Sequence, residues 1–201
     1  MELEILLSTG NATKTEQIRA IFRGTPFKIR TLSEARIKGA SGEDGTSLEE
    51  NALQKARFAH EHGHPDWWAV ADDTGLFINA LNGEPGVRSA RWAGETATTE
   101  ETMNYCLARL KGKIDRSASF KTVVAAISPE GKEHFFTGEV PGYIIEQPLG
   151  RNQTGMPYSS IFMPKGADQT WAQMSVAVEN AISHRGIAFR KLREFFESTI
   201  K

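Results

Sequence analysis

Two adjacent carboxylates follow a short apolar run. The run covers residues 67–71 (WWAVA), and Asp72, Asp73 and Thr74 come next, within ADDTGL. Strand interiors disfavour Asp, so we expect the pair at the end of a strand. Because two like charges repel each other, the pair predicts a cation nearby. Mg²⁺ is bound by carboxylate, water and phosphate oxygens, and we therefore predict a magnesium site that includes Asp73.

Three upstream acids are candidates for a second metal ligand. Glu43 lies in a Gly-rich loop (SGEDGTS, 41–47), and Glu49 and Glu50 lie at the start of the following predicted helix. Each has an ordinary alternative. Ser47 and Glu50 have the spacing of a capping box, and Glu43 and Asp72 could be solvated loop acids. The sequence leaves the choice between Glu43 and Glu50 open.

A short turn rich in small and hydroxyl residues supplies a second candidate site. Residues 8–14 (STGNATK) connect a predicted strand to a helix start and end in Lys14. Backbone N–H groups, a helix N-terminus and an ammonium at one point suit a phosphate group. The glycine and lysine spacing of a Walker loop is absent. The alternative is a capped helix entry with a solvated lysine.

A third candidate precedes the last predicted helix. Ser183, His184 and Arg185 form a compact set of hydrogen-bond donors, which could read the carbonyl edge of a purine or hold a phosphate. The alternative is ordinary helix capping. His184 is not expected to bind metal, because no second histidine stands at ligand spacing.

Composition excludes several classes of protein. The chain has 201 residues, 39% of them hydrophobic, which suffices for one large domain or two small lobes. Lys and Arg number 24 against 25 Asp and Glu, so no global charge favours nucleic acid or an anionic membrane as partner. Cys106 is the single cysteine; we expect it to be buried and the compartment to be reducing. With no signal-like or membrane-spanning segment, we predict a cytoplasmic protein.

Periodicity predicts how these candidates are positioned. Residues 2–8 and 27–32 resemble strands, and residues 14–23 resemble a helix. Helix start signals at Ser47 and Thr98 predict two more helices, which end at Gly63 and Gly112. Residues 118–145 have the pattern of an antiparallel hairpin around SPEGK. A C-terminal helix follows ISHRG. Together these elements predict an α/β domain with a mixed sheet, in which a smaller lobe surrounds the hairpin.

Six segments, in order, resemble one known family. TGNATK, GTSLEENALQKA, ADDTGL, PGVRSARWAG, GEVPGYI and SHRGIA occur in the register of the inosine triphosphate pyrophosphatase family. These enzymes hydrolyse non-standard purine nucleoside triphosphates. The resemblance covers nearly the whole chain. It implies an elongated mixed sheet flanked by helices, two lobes around a central nucleotide-binding cleft, and a homodimer.

The resemblance also implies roles for individual residues. Asp73 would be metal ligand and general base, with Glu43 as the other metal acid and Asp72 in support. Lys14 and Lys55 would be catalytic cations for the phosphates. The substrate-binding residues would come from the turn at 8–14, from Thr74, from the segment GMPYSS and from the SHR motif. They would be Thr9, Gly10, Asn11, Ala12, Thr13, Lys14, Thr74, Met156, Tyr158, Ser159, Ser183, His184 and Arg185.

The chain departs from the family where the base should bind. Members usually have G-F-G-[YW]-D-P in the segment that reads GMPYSS here, so Met156 replaces the stacking aromatic, Pro157 a glycine and Ser159 a carboxylate. Stacking on an aromatic contributes about 1 to 3 kcal/mol per base. Glu179 stands where a lysine is usual, and Leu149 where arginine is common. These changes alter the base-selecting half and leave the phosphate half intact.

The predicted function is Mg²⁺-dependent hydrolysis of a non-standard purine nucleoside triphosphate, with ITP, dITP and XTP as default substrates. The products would be the monophosphate and pyrophosphate. One alternative is a nucleotide-binding protein that is catalytically weak. Another is a pyrophosphatase for a different modified nucleotide, including the modified pyrimidines of the septum-inhibitor-like enzymes, whose serine-proline-arginine run is missing here.

Overall fold

Seven strands within the described part of the chain form one mixed sheet. The computed structural model describes residues 3–42, 44–151 and 153–199. The strands run in the order β2-β1-β3-β5-β6-β7, and β4 pairs with β3 outside this path. Their bounds are β1 Leu3–Leu7, β2 Phe27–Thr31, β3 Trp68–Ile78, β4 Pro85–Gly86, β5 Ser117–Ile127, β6 Glu133–Ile144 and β7 Phe162–Pro164.

Helices cover the sheet and interleave with its strands. The described residues contain α1 Ala12–Ile21, α2 Leu48–His62, α3 Thr99–Arg109, α4 Val176–Ile182 and α5 His184–Thr199. Single 3₁₀ turns lie at Asn79–Leu81, Ser89–Arg91 and Trp171–Gln173. Strand β1 pairs in parallel with β2 and with β3. The pairs β3–β5, β5–β6 and β6–β7 are antiparallel. The predicted α/β class with a mixed sheet is confirmed.

Strand β3 is longer than its apolar run predicts. It continues through the two aspartates to Ile78, and Asp72 and Asp73 pair with Val124 and Val123 of β5. The expectation that the aspartates end a strand is therefore wrong. The long neighbouring strand β5 supplies ladder hydrogen bonds along the whole segment, and packing of this kind overrides the weak propensity of Asp.

Alternation along β3 assigns each face of the sheet to different helices. On one face, Val70 packs in a cluster with Ile18 of α1 and with Phe189 of α5. On the other face, Ala69 and Ala71 pack against the alanine stripe of α2. A third cluster holds α3 against the far end of β5 and β6. The fold therefore has three layers, with the sheet between two layers of helices. The polar residues Asp72, Asp73 and Thr74 interrupt the apolar residues of β3 and mark the position of the candidate site.

Two helix starts follow the sequence signals. Thr98 and Glu101 form a complete capping box at α3. Oγ of Ser47 accepts a hydrogen bond from the Glu50 backbone at 3.1 Å and so caps α2. Helix α5 begins at His184, one residue after the Ser183 that ends α4. The SHR motif therefore lies at a helix junction, with His184 and Arg185 inside the first turn of α5.

The single thiol is buried as predicted. Cys106 belongs to the third cluster and has no exposed surface. Burial raises the pKa of this thiol to about 12, an effect that Arg116 nearby partly offsets. A protonated, buried thiol is a poor nucleophile. In the described part of the chain, no helix combines the length and the hydrophobicity needed to span a membrane.

Candidate active site

A cleft opens beside β3 and brings together residues from both ends of the chain. It encloses about 690 Å³ of empty space, including the part open to solvent. Its lining comes from α1, α2, β3, β5, the segment before β7, α4 and the start of α5. The lining residues are Lys14, Lys55, Asp73, Thr74, Ser89, Ala90, Phe120, Gly155, Met156, Pro157, Tyr158, Ser159, Trp171, Glu179, His184 and Arg185.

The two aspartates point to opposite faces of β3, because successive strand residues alternate. Each is paired with its own lysine. Nζ of Lys14 donates to Oδ2 of Asp72 at 2.9 Å, and Nζ of Lys55 donates to Oδ1 of Asp73 at 2.8 Å. The repulsion between adjacent carboxylates is thus relieved within the protein. The structure thus places two lysine ammonium groups where the sequence predicts positive charge.

Asp72 is a buried anion among cations. The residue is 2% exposed, and Nε of Arg185 lies 3.8 Å from the same oxygen that Lys14 contacts. Burial alone would raise the pKa of Asp72, but Lys14, Arg185 and Lys55 outweigh burial and hold this pKa well below its usual range. Burial in turn lowers the pKa of Lys14, which Asp72 opposes. The residue therefore stays ionised and holds Lys14 and Arg185 in place.

Asp73 is the one of the two aspartates that lines the cleft. It is 8% exposed, and its Oδ2 accepts a hydrogen bond from Nδ2 of Asn51 at 3.2 Å. Burial raises the pKa of Asp73, against the opposing effects of Lys55, Lys14 and Asn51. A raised pKa suits a group that must accept a proton near neutral pH.

The described residues do not form a cage of protein ligands around a metal ion. They contain no group of three or more His, Cys, Asp or Glu side chains arranged around a metal position. Mg²⁺ is usually bound by only one or two carboxylates together with waters and substrate phosphates. Each oxygen of Asp73 has one protein donor, which leaves acceptor capacity for an ion. The Asp73 carboxylate can therefore still accept a metal ion as a ligand.

The other candidate metal ligands, Glu43, Glu49 and Glu50, differ in what the structure shows of their partners. Oε2 of Glu50 accepts from the backbone N–H and the hydroxyl of Thr46 at 2.6 and 2.9 Å. Oε1 of Glu49 accepts from Lys121 at 3.2 Å. Both carboxylates are thus hydrogen-bonded to groups other than Asp73 and its partners. Glu43 lies outside the described residues. Gly45, two positions further along, donates to Oδ1 of Asn51, whose amide nitrogen donates to Asp73.

The turn after β1 is a capped helix entry that also borders the cleft. Asn11 is the N-cap of α1, and its Oδ1 accepts from the Lys14 backbone at 3.1 Å. The hydroxyl of Thr9 accepts from the backbone of Asn11. Gly10 and Ala12 are exposed at the surface of the turn. The capping interpretation is therefore correct for Asn11, while Lys14 is paired with Asp72 rather than solvated.

The same turn holds the segment that precedes β7. Nδ2 of Asn11 donates to the carbonyl of Gly155 at 3.1 Å, and the hydroxyl of Thr13 donates to the carbonyl of Thr154 at 3.2 Å. The backbone of Gly155 donates to Thr99 at the start of α3. These contacts fix residues 154–155 beside Lys14, so that Met156 lines the cleft immediately after them.

At the other end of the cleft, His184 lies between aromatic rings. Its imidazole stacks on Phe120 with ring centroids 4.6 Å apart and an interplanar angle of 11°. Burial, with Arg185 and Lys14 nearby, holds the pKa of His184 well below its usual range, so the ring is neutral at neutral pH. Nδ1 of His184 has no hydrogen-bond partner among the described residues. A buried, unpaired ring nitrogen of this kind is available to a ligand.

Ser183 is not among the residues that line the cleft, and Tyr158 lines it with its hydroxyl group already engaged. Ser183 is buried, and its hydroxyl accepts from the backbone of Gly186, so it caps α5. Tyr158 lines the cleft with its ring, but its hydroxyl donates to the carbonyl of Ser89 at 2.6 Å. Burial raises the pKa of that phenol. The structure therefore brings Met156, Tyr158, Ser159, His184 and Arg185 to the cleft lining, whereas Ser183 contributes only through the cap of α5.

Four residues of the site do not stand out in the amino-acid sequence. Asn51 orients Asp73, and Oε1 of Gln17 accepts from Nη1 of Arg185 at 2.7 Å. Phe120 and Trp171 add aromatic surface to the end of the cleft where the sequence indicates the loss of an aromatic. The alternation of β5 could have placed Phe120 on the same face as Thr122. Nothing in the local sequence distinguishes Gln17, Asn51 or Trp171 from ordinary helix residues.

Fold and cleft together define an α/β protein with a lysine and carboxylate site for an anionic small molecule. Residues 5–195 match the Ham1 family, and the chain therefore belongs to the Ham1 family. It is 40% identical over 195 residues to a dITP/XTP pyrophosphatase of Thermoanaerobacter pseudethanolicus, with 96% of each chain covered. The family resemblance drawn from the six segments is confirmed.

Two solved structures share the fold over nearly their full length. A HAM1 protein from Coxiella burnetii is similar with a TM-score of 0.85. The Ham1 protein of Staphylococcus aureus is similar with a TM-score of 0.83. Each is 34% identical to this chain, and each comparison covers 98% of this chain and 99% of the other. The predicted ITPase-like fold is confirmed.

Proposed function

We propose that the protein is a Mg²⁺-dependent nucleoside triphosphate pyrophosphatase that acts on non-standard purine nucleotides such as ITP, dITP and XTP. The products are the nucleoside monophosphate and pyrophosphate. The observation that carries the proposal is the meeting of Lys14, Lys55 and Asp73 in one cleft, with Nζ of Lys55 2.8 Å from Asp73. Membership of the Ham1 family and similarity to dITP/XTP pyrophosphatases support the choice of reaction.

Hydrolysis at the α-phosphorus demands positioning and charge stabilisation. Asp73 accepts a proton from the attacking water, for which its raised pKa is suited. The oxygen of that water forms the new bond to phosphorus while the bond to the pyrophosphate oxygen breaks. Lys14 and Lys55 stabilise the negative charge on the phosphates, assisted by N–H groups of the turn containing Thr9, Gly10 and Asn11.

We propose that Asp73 and Glu43 hold the Mg²⁺ ion. When bound, the ion would act as a Lewis acid, which neutralises phosphate charge and lowers the pKa of water. Gly45 supports the assignment of Glu43, because its hydrogen bond to Asn51 ties this loop to the partner of Asp73. Asn51 keeps the Asp73 carboxylate oriented in the cleft.

The base end of the cleft recognises a 6-oxo group through His184 and Arg185. Adenine carries a donor where a 6-oxopurine carries an acceptor, so it would leave buried donors unpaired at about 1 to 3 kcal/mol each. Thr74 and Met156 cover the space between the phosphates and the base. We further propose a cytoplasmic homodimer of single-domain chains, each with a smaller lobe around residues 118–145, which acts on free nucleotides without nucleic acid or membrane.

Pyrophosphate release from a panel of nucleoside triphosphates tests the proposal. We expect turnover of 6-oxopurine triphosphates with Mg²⁺ and loss of turnover with EDTA. Asp73→Asn should lower kcat at least a hundredfold, because the amide cannot accept the proton. Asp168→Asn, an equivalent change at an exposed position, should keep parental activity.

The competing function is nucleotide binding without catalysis. It predicts that the nucleotides bind, that none is turned over with Mg²⁺, and that Asp73→Asn behaves like the parent. That combination of results would exclude the pyrophosphatase.

A further inference from the structure

Helix α4 places a carboxylate in the wall of the cleft. Glu179 is 3% exposed and lines the cleft together with Ser159, His184 and Arg185. Burial raises the pKa of its carboxyl group, opposed by Arg185 and by a hydrogen bond from Gln17. A buried carboxylate is costly unless donors pair with it. Glu179 therefore favours a ligand that brings N–H groups.

The neighbouring guanidinium does not use up this carboxylate. Nη1 of Arg185 donates to Gln17, and Nε of Arg185 lies nearest to Asp72, at 3.8 Å. Gln17 interacts with both charged groups: its oxygen accepts a hydrogen bond from Arg185, and its side-chain amide lowers the pKa of Glu179. A carboxylate has about four acceptor positions, so one amide donor leaves most of them open.

The helix that carries Glu179 is also held in a defined position. Nδ2 of Asn180 donates to the backbone carbonyl of Gln17 at 2.8 Å, and the backbone of Ser183 donates to that of Glu179 at 2.7 Å. These bonds fix α4 against α1 and against the start of α5. A preorganised acceptor discriminates between ligands more sharply than a mobile one.

Bases of the 6-oxopurine class differ at C2 in what they present to such an acceptor. Guanine has N1–H beside a 2-amino group, which makes two adjacent donors. Hypoxanthine has N1–H alone. Xanthine has an oxygen at C2, which a carboxylate repels. The other polar groups at this end of the cleft are the neutral His184, the Arg185 guanidinium and the Ser159 hydroxyl.

We propose that Glu179 is the specificity-determining residue of the cleft, and that it directs the protein toward 6-oxopurine triphosphates with a 2-amino group and away from those with a 2-oxo group. This inference rests on the proposed pyrophosphatase reaction and revises its base preference: ITP and dITP remain substrates, XTP becomes a poor one, and the standard nucleotide GTP is added. The substrate class includes guanine and guanines modified away from the Watson–Crick edge.

Three triphosphates that differ only at C2 provide the test: GTP, ITP and XTP. We expect kcat/KM, measured by pyrophosphate release, to fall in that order, with GTP at least tenfold above XTP. Glu179→Gln should lower the GTP to XTP ratio at least tenfold, because the amide loses the charge and offers a donor to the 2-oxo group. Glu179→Asp keeps the charge and should keep the order. Glu194→Gln, on the exposed side of α5, should leave the ratio unchanged.

The outcomes separate the inference from the proposed function. If the parent turns over all three nucleotides but prefers XTP, or if Glu179→Gln leaves the ratio unchanged, Glu179 has only a structural role and the pyrophosphatase stands. If the parent turns over none of the three nucleotides and no other nucleoside triphosphate, the proposed function itself fails. Should Glu179→Gln not fold, as judged by near-ultraviolet circular dichroism, the order in the parent and in Glu179→Asp decides.

Discussion

Asp72 and Asp73 are neighbours in sequence with separate physical roles. Strand alternation sends Asp72 toward Lys14 and Arg185, and Asp73 toward Lys55 and Asn51. In the proposed function Lys14 serves the phosphates and Arg185 the base, so the buried Asp72 would connect the two ends of the cleft. Asp73 keeps access to the cleft. We infer that Asp72 positions other groups, whereas Asp73 contacts water and substrate.

Replacing Asp72 by Asn should destabilise the fold strongly. The change leaves Lys14 and Arg185 buried without their anion, and breaking a buried pair from one side costs about 3 to 5 kcal/mol. The free energy of unfolding, measured in urea at pH 7, should fall by about that amount. Asp168→Asn is the matched exposed control. A loss below about 1 kcal/mol would contradict the role assigned to Asp72.

The destabilisation by Asp72→Asn should depend on pH. Because cations hold the folded pKa of Asp72 below its unfolded value of about 3.9, its contribution is fully present above pH 5 and decreases as the pH falls below 4. One pKa unit corresponds to about 1.4 kcal/mol. The difference between parent and variant should therefore be constant from pH 7 to 5 and about 1 kcal/mol smaller at pH 3. A difference that grows on acidification would reverse the sign of the proposed linkage.

At the scale of elements, the sequence predicted helices with clear caps and strands with clear patterns. The start signals at Ser47 and Thr98 and the hairpin around SPEGK correspond to α2, α3 and the pair β5 and β6. Predictions failed where tertiary contacts decide. Strand β3 extends across its aspartates because β5 pairs with it, and the seven-residue α4 is too short to show a period.

Strand β6 and helix α5 are in backbone contact at Gly138. A Cβ atom at this position would collide with the carbonyl oxygen of His184 and lie 2.8 Å from the backbone nitrogen of Ala188. Gly138→Ala should therefore push α5 away and lower the free energy of unfolding by about 2 kcal/mol or more. Because α5 carries His184, KM for a 6-oxopurine triphosphate should rise as well.

Glu139→Ala is the control for that prediction, since Glu139 is the exposed neighbour on the same strand. Both variants are compared by urea denaturation and by steady-state kinetics. Wild-type stability and KM in Gly138→Ala would show that α5 accommodates the methyl group, and that its position relative to β6 does not govern base recognition.

At the scale of the whole molecule, the cleft depends on residues that are far apart in sequence. Lys14, Lys55, Asp73 and His184 meet because β1 and β3 are adjacent and α5 packs on the same sheet. The six segments of the family resemblance identified these residues without their geometry. Gln17 and Asn51, which orient Arg185 and Asp73, lie in helices whose local sequence reveals only helical propensity. Their role emerges only from the assembled layers.

A ligand that spans this cleft should stabilise the whole fold, because it binds the folded chain and bridges α1, α2 and α5. A non-hydrolysable ITP analogue with an imido bridge between the α- and β-phosphates, present with Mg²⁺ at 100 times its Kd, should add about 2.7 kcal/mol. For a domain of this size that raises Tm by about 5 to 10 °C. Lys14→Met should reduce the shift at the same ligand concentration, because one phosphate cation is lost, whereas the exposed Lys113→Met should not. Equal shifts in the parent and Lys14→Met would mean that the triphosphate does not lie against the turn after β1, and the phosphate end of the cleft would have to be sought elsewhere.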